Sequence, residues 1–168
     1  MKAIDCYQST MELTKSFLGN DHEHVAETST MMAKTYYNLS DFQRSIDCYL
    51  EAYRIRVLVH SEDSTKVADI IFSMSIVHNR TGRYDKALDL ASNVLKLTED
   101  KLGKRHPSLA KILASIGIIK KNKGDLSGAY HSLLESLHLS KLDQNFVLIA
   151  KTFQDIAIIC KFNYFVSI

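Results

Sequence analysis

The sequence predicts an all-α fold, a solenoid of stacked antiparallel helix pairs with about eight helices. Three observations predict it: a repeat that recurs at a period of 42 residues, apolar residues at helical spacing within each copy, and only one proline and six glycines in 168 residues. An all-β chain of this length would need a turn signal every few residues, and these glycines and the lone proline are too few to supply them.

The repeat is carried by several independent columns. Val25-Ala26, Val67-Ala68, Leu109-Ala110 and Ile149-Ala150 recur at spacings of 42, 42 and 40. Ser40, Gly82 and Gly124 recur at 42 and 42, as do Ser45, Ala87 and Ala129. The run AIDCY at residues 3–7 returns as SIDCY at 45–49, and LGNDHEHVA at 18–26 returns two periods later as LGKRHPSLA at 102–110.

Taken in chain order, Ala3–Phe17 matches the second helix of a pair, with no first helix before it. Three complete pairs follow, with cores near 22–60, 64–102 and 106–142. In the middle copy the first helix runs from about Val67 to Arg80, with Ile70, Ile71, Met74 and Val77 on one face. The second runs from about Tyr84 to Thr98 on a stripe of Ala87, Leu88, Ala91, Val94, Leu95 and Leu97. Gly82 and Gly124 supply the left-handed residue that ends a helix; Ser40 holds that place in the first copy without a glycine. Pro107 suits the first position of a helix, where its missing N–H is not needed. Ser64 and His22 occupy the equivalent cap positions. Thr152–Cys160 matches a further first helix, and Lys161–Ile168 is an apolar tail. The array is therefore expected over 1–160, with partial repeats at both ends and the tail at 161–168. The apolar tail is the opposite of the polar cap such arrays carry, which points to a fragment of a longer array or to self-association through uncapped ends.

Small residues mark the helix crossings: Ala33, Ser75, Gly117 and Ala157 in the first helices, and Ser45, Ala87 and Ala129 in the second. Antiparallel helices joined by a short turn approach closely only where such side chains meet. Met32, Met74, Ile116 and Ile156 fill the space beside them.

Composition excludes several functions. Lys and Arg number 21 against 19 Asp and Glu, a net charge of +2, so the chain is no polybasic nucleic-acid arm. No apolar run approaches the roughly 20 residues of a membrane helix, and no secretory h-region is visible. Three widely spaced cysteines, Cys6, Cys48 and Cys160, fit a reducing compartment, so a cytoplasmic location is expected. Cys6 and Cys48 share one column and are expected to pack as small hydrophobes. No phosphate-binding loop, GxSxG or HExxH motif occurs, and no catalytic residue, metal site, cofactor or small-molecule substrate is expected. Asp21-His22-Glu23-His24 is the densest ligand-like cluster, but neighbours two apart on a helix diverge, and His22 aligns with His106 as a corner residue. His131 and His138 lack a third ligand.

The pattern of a small residue, a glycine, an aromatic and a second small residue at Ser75, Gly82, Tyr84 and Ala87 resembles the tetratricopeptide repeat, whose common period is about 34 residues. The period of 42 and the LGxxHPxxA segment at 102–110 are closer to the extended repeats of kinesin light chains, although no tryptophan and no heptad coiled coil occurs. The resemblance spans Ala3 to about Cys160. It implies a right-handed superhelix whose first helices line a concave groove, a protein or peptide partner, and no chemistry of its own.

Carried over position by position, the resemblance places Lys34, Tyr37 and Asn38 in the groove from the first copy. Phe72, Ile76, Asn79 and Arg80 come from the second, and Ala114, Ile118, Lys121 and Asn122 from the third. Gln154, Ile158 and Lys161 follow from the last. Ile76, Ile118 and Ile158 would form an apolar strip bordered by asparagines and bases. Such a wall suits a short, acidic, partly apolar peptide, because asparagine bonds both peptide N–H and C=O while Arg and Lys pair with carboxylates. Residues 101–168 hold 10 Lys and Arg against 4 Asp and Glu, which favours the same kind of partner. The plainer alternative is that the isoleucines pack on neighbouring helices and the bases are solvated. A second functional reading is a non-catalytic recognition or regulatory segment of a larger protein or enzyme. Aromatic residues are not periodic on the wall, which speaks against nucleic acid.

Overall fold

The computed structural model describes residues 2–61 and 64–166, with side chains described through residue 161. Eight helices occur among the described residues, with no strand: α1 Lys2–Leu18, α2 Glu23–Asn38, α3 Phe42–Val59, α4 Thr65–Arg80, α5 Tyr84–Leu102, α6 Leu109–Lys123, α7 Leu126–Leu142 and α8 Phe146–Val166. α8 continues past position 160, where the repeat pattern stops. The side chains of 162–168, most of the apolar tail, lie outside the described residues.

The turns inside the pairs share one geometry. After α2, α4 and α6 the chain enters the left-handed region at Ser40 (φ 60°), Gly82 (φ 74°) and Gly124 (φ 96°). The next residue's N–H then reaches back to a carbonyl of the last turn: Asp41 to Tyr36, Arg83 to His78 and Asp125 to Lys120, each at 2.9 Å. This closure satisfies carbonyls that the helix end would otherwise orphan. Ser40 therefore makes the same turn as the glycines, at the steric cost of a Cβ in that region.

The helix starts are as regular. His22 Nδ1 accepts the His24 N–H at 3.2 Å, Ser64 Oγ accepts that of Lys66 at 3.3 Å, and His106 Nδ1 accepts that of Ser108 at 3.2 Å. His22 is thus the N-cap of α2, whereas His106 makes the same bond inside the turn that precedes α6. Pro107 differs from expectation: it lies in a turn ahead of α6, where Ala110 N–H bonds the Pro107 carbonyl at 2.9 Å and Leu109 opens the helix. The tight i→i+3 bonds of that turn explain the shift of two residues.

The chain divides into two compact units, Met1–Val77 and His78–Ile168, with the boundary inside α4. In the first unit, α2 packs on α3 and on α1. Val25, Ala26, Ala33, Ala52 and Ile55 are fully enclosed. Ser45 Oγ donates to the Ala33 carbonyl at 2.8 Å, so the small pair at the crossing is also bonded. α1 has no buried residue, and Cys6 is exposed rather than packed, because the face that carries it meets no other helix among the described residues. Cys48, in the same column, is half-buried; burial, with Asp47 and Asp41 nearby, pushes its thiol above the usual range.

In the second unit, α6 packs on α5 and α7, and α8 packs on α7 and α6. Gly117 explains the close approach of α6 and α7: a Cβ there would stand 2.7 Å from Leu133 Cγ and 3.2 Å from the Ala129 carbonyl. Ser136 Oγ donates to the Ala110 carbonyl at 2.7 Å. Ala157 departs from its column: it is exposed, because no described helix covers that side of α8.

Candidate functional site

The first helices α2, α4, α6 and α8 carry every position assigned to the binding wall. In the first unit, α2 leaves Lys34 and Asn38 exposed, while Tyr37 is half-buried with its ring edge-on to Phe42 at 5.9 Å. Ile76 of α4 is half-buried. Phe72 is a correction: only 8% of it is exposed, so its ring belongs to the core.

In the second unit, the end of α4 contributes half-buried Asn79 and exposed Arg80. Asn122 Nδ2 of α6 donates to Asn79 Oδ1 at 3.0 Å, which places these two amides side by side. Ile118 is half-buried and Ile158 of α8 is 39% exposed. Ala114 is buried, whereas Gln154 and Lys161 are exposed.

Lys121 departs from the role of an open base. Its Nζ lies 2.5 Å from Asp155 Oδ1 of α8, and the two side chains are only 19% and 20% exposed. Asp155 was missed by sequence reasoning. The signal that could have found it is the column Ser73, Ser115, Asp155 at spacings of 42 and 40, one helical turn before the isoleucine column. A carboxylate there neutralises the neighbouring lysine and ties α8 to α6.

A second charge cluster lies away from these positions, in the first unit. Glu23 at the start of α2 meets Lys66 Nζ at 2.9 Å, His60 Nε2 at 3.2 Å and Arg56 Nε at 3.6 Å. Burial pushes the Glu23 carboxyl upward, but Lys66, Arg56 and His60 outweigh it and hold the pKa below the ordinary value. Arg56 also donates to the Lys66 carbonyl at 3.0 Å. This cluster fastens the end of α3 to the starts of α2 and α4, a structural task.

A shallow cavity at the turn into α5 is lined by Gly82, Arg83, Tyr84, Asp85, Lys86 and Lys123. Lys123 Nζ pairs with Asp85 there at 2.5 Å. Among the described residues no three His, Cys, Asp or Glu side chains converge as a metal site. His131 is engaged with the Ser127 carbonyl at 2.8 Å. No helix among the described residues is long and apolar enough to cross a membrane.

Comparison with known proteins agrees with this architecture. Two sequence models, both described as tetratricopeptide repeat, match residues 1–56 and 68–108. No curated protein matches the sequence. Among solved structures, a putative kinesin light chain from Podosopora anserina with nearly identical TPR-like repeats aligns with a TM-score of 0.78 at 12% identity, covering 96% of this chain and 77% of that one. BtubC (BKLC) from P. vanneervenii aligns with a TM-score of 0.72 at 16% identity, covering 94% and 69%. The apo form of RapI aligns with a TM-score of 0.78 at 17% identity, covering 98% of this chain and 45% of that one. At these identities the likeness establishes the fold: an all-α array of TPR-like repeats of the kinesin-light-chain type.

Proposed function

Because the chain belongs to the tetratricopeptide-repeat family, whose members are in general non-catalytic scaffolds for protein partners, we propose that its first helices bind an extended, acidic and partly apolar peptide segment of a partner protein. What carries the reading is the pairing of Asn79 with Asn122 at 3.0 Å. Two neighbouring first helices thereby present amides that can exchange their mutual bond for the N–H and C=O groups of a peptide backbone. Exposed Arg80 lies next in sequence, and Ile118 and Ile158 offer partly open apolar surface for a side-chain anchor. In the first unit Lys34 and Asn38 present the same combination of base and amide.

Peptides displayed as a fully random library provide the probe, and the selected binders are expected to carry two or more acidic residues and an aliphatic residue. Binders are expected to lose about tenfold in affinity, or about 1.4 kcal/mol, when Asn79, Arg80 and Asn122 are changed together to alanine, with the far-UV helix signal intact. Unchanged affinity of every selected peptide for the triple variant, or selection of neutral and basic peptides only, would overturn the proposal.

A further inference from the structure

The turn between α4 and α5 differs in charge from its two counterparts. One column of the repeat, near the end of each first helix, holds Tyr36, His78 and Lys120, and a second column, at the start of each second helix, holds Arg44, Lys86 and Gly128. In the first copy a base meets a neutral ring: the Arg44 guanidinium lies 5.7 Å from the centre of the Tyr36 ring. In the third copy the first column is itself a cation. Lys120 Nζ donates to Ser132 Oγ at 3.1 Å, and the second column is Gly128, which brings no further charge. Between the two columns these copies carry Asp41 and Asp125, whose carboxylates accept the Arg44 N–H at 3.2 Å and the Gly128 N–H at 2.8 Å. In the second copy the same place is Arg83, whose side chain caps nothing.

His78, 3% exposed, is therefore set among bases without a carboxylate. The charged groups that reach it are Lys86 and Arg83, both positive. From α6, Asn122 meets Asn79, the next residue, and the charges beside Asn122 are already held, Lys121 by Asp155 and Lys123 by Asp85. Burial, then Lys86 and Arg83, disfavour the charged ring, so it stays neutral at neutral pH. His78 is also the residue on which the turn closes: its carbonyl accepts the Arg83 N–H at 2.9 Å and the Thr81 hydroxyl at 3.0 Å. Asn79 and Arg80 follow it directly. A proton on the ring creates the combination that the other two copies avoid, a buried cation against a second base with no acid beside it. It is relieved when the ring moves out toward water, and the last turn of α4 moves with it.

We infer that His78 is a pH-sensitive positioning residue for the binding wall: in acid its imidazolium is driven away from Lys86 and Arg83, the last turn of α4 opens, and Asn79 parts from Asn122. The inference rests on the peptide-binding role proposed above for Asn79, Arg80 and Asn122. The peptide then binds the form of the chain with a neutral His78, and protonation and binding oppose each other. A partner held at neutral pH is released as the pH falls.

Two measurements on the full chain keep the switch apart from the binding role. The first needs no peptide: the side-chain amide resonances of Asn79 and Asn122 are followed by nuclear magnetic resonance from about pH 7.5 to about pH 5.5. They are expected to shift together with the His78 ring signals. They should hold still in His78→Gln and in His78→Tyr, which gives the second copy the ring the first already has. The second is the affinity of a selected acidic peptide, expected to fall about tenfold over the same range with the far-UV helix signal intact, and by about twofold or less in either variant. Lys86→Gln removes one of the opposing bases and should reduce the fall to about threefold. Asparagine signals that follow His78 while no peptide binds at any pH support the switch and count against the peptide role alone. Asparagine signals indifferent to pH, an affinity as pH-dependent in the variants as in the parent, or a helix signal lost together with the affinity overturns the inference.

Discussion

Replacing Gly117 with alanine sets two known effects against each other at one position. Gly117 lies inside α6, where exchanging glycine for alanine favours the helix by about 1 kcal/mol. The new methyl, however, would stand 2.7 Å from Leu133 Cγ, 3.0 Å from Leu133 Cδ2 and 3.2 Å from the Ala129 carbonyl oxygen. Leu133 is completely enclosed, and the contacted Cγ is not the flexible tip of the side chain, so relief requires α6 and α7 to move apart. Overpacking of that kind costs about 1–3 kcal/mol. The net expectation is a loss of about 1 kcal/mol, which lowers the melting temperature by about 2–4 °C. Urea unfolding followed by circular dichroism and by tyrosine fluorescence measures it, with the two signals required to coincide. The double variant isolates the cause. Leu133→Ala alone costs about 2–5 kcal/mol, and adding Gly117→Ala to it should recover about 1 kcal/mol because the methyl enters vacated space. A Gly117→Ala chain more stable than the parent, or effects that simply add, would refute the packing argument.

Two further outcomes follow from the turns. Ser40 holds φ at 60°, where its two equivalents are glycines, so Ser40→Gly should raise stability by about 0.5–1 kcal/mol; thermal unfolding of the variant below the parent would show that the turn is not strained. His78, 3% exposed, is kept below its ordinary pKa of 6.5 by burial, then by Lys86 and Arg83. The folded chain therefore prefers the neutral ring, while the unfolded chain takes up a proton below about pH 6.5. Stability from this site is complete above that pH and declines as pH falls through it. The decline should be shallower in His78→Gln, read as urea midpoints above and below pH 6.5; equal slopes in both chains would count against the assignment.

The repeat columns made the fold legible before any coordinates. Ser45, Ala87 and Ala129 are all fully enclosed, as a small-residue crossing requires, and His22 and His106 each accept the N–H two residues on, His22 as the cap of α2 and His106 in the turn ahead of α6. The period failed where a residue's surroundings depend on what lies beside its helix. Cys6 and Ala157 occupy packed columns yet are exposed, because a column states which face a residue has and not whether a helix covers that face. Phe72 was misplaced for a related reason. The positions that flank the small column diverge around the helix, and a large ring at such a position turns inward to bury its area. Asp155 escaped notice because a single carboxylate replaces serines in its column, and its meaning appears only with Lys121 beside it.

That ion pair bears on what the proposed wall would recognise. Side chains one-fifth exposed lie mostly outside solvent screening, so Lys121 and Asp155 hold each other more firmly than two surface charges would. A peptide carboxylate arriving at Lys121 must displace Asp155 and leave it without its partner, a cost that cancels much of the new contact. In the proposed binding mode, selectivity for acidic peptides would therefore rest on Arg80, which is exposed. The Asn79–Asn122 bond behaves differently, because neutral amides give up one hydrogen bond and regain another at little net cost. Along α6 the proposed wall would thus have two kinds of surface: an amide rung able to exchange its bond with peptide backbone, and a charged rung already satisfied that ties α8 to α6. Binding energy is to be sought at the first, and rigidity at the second.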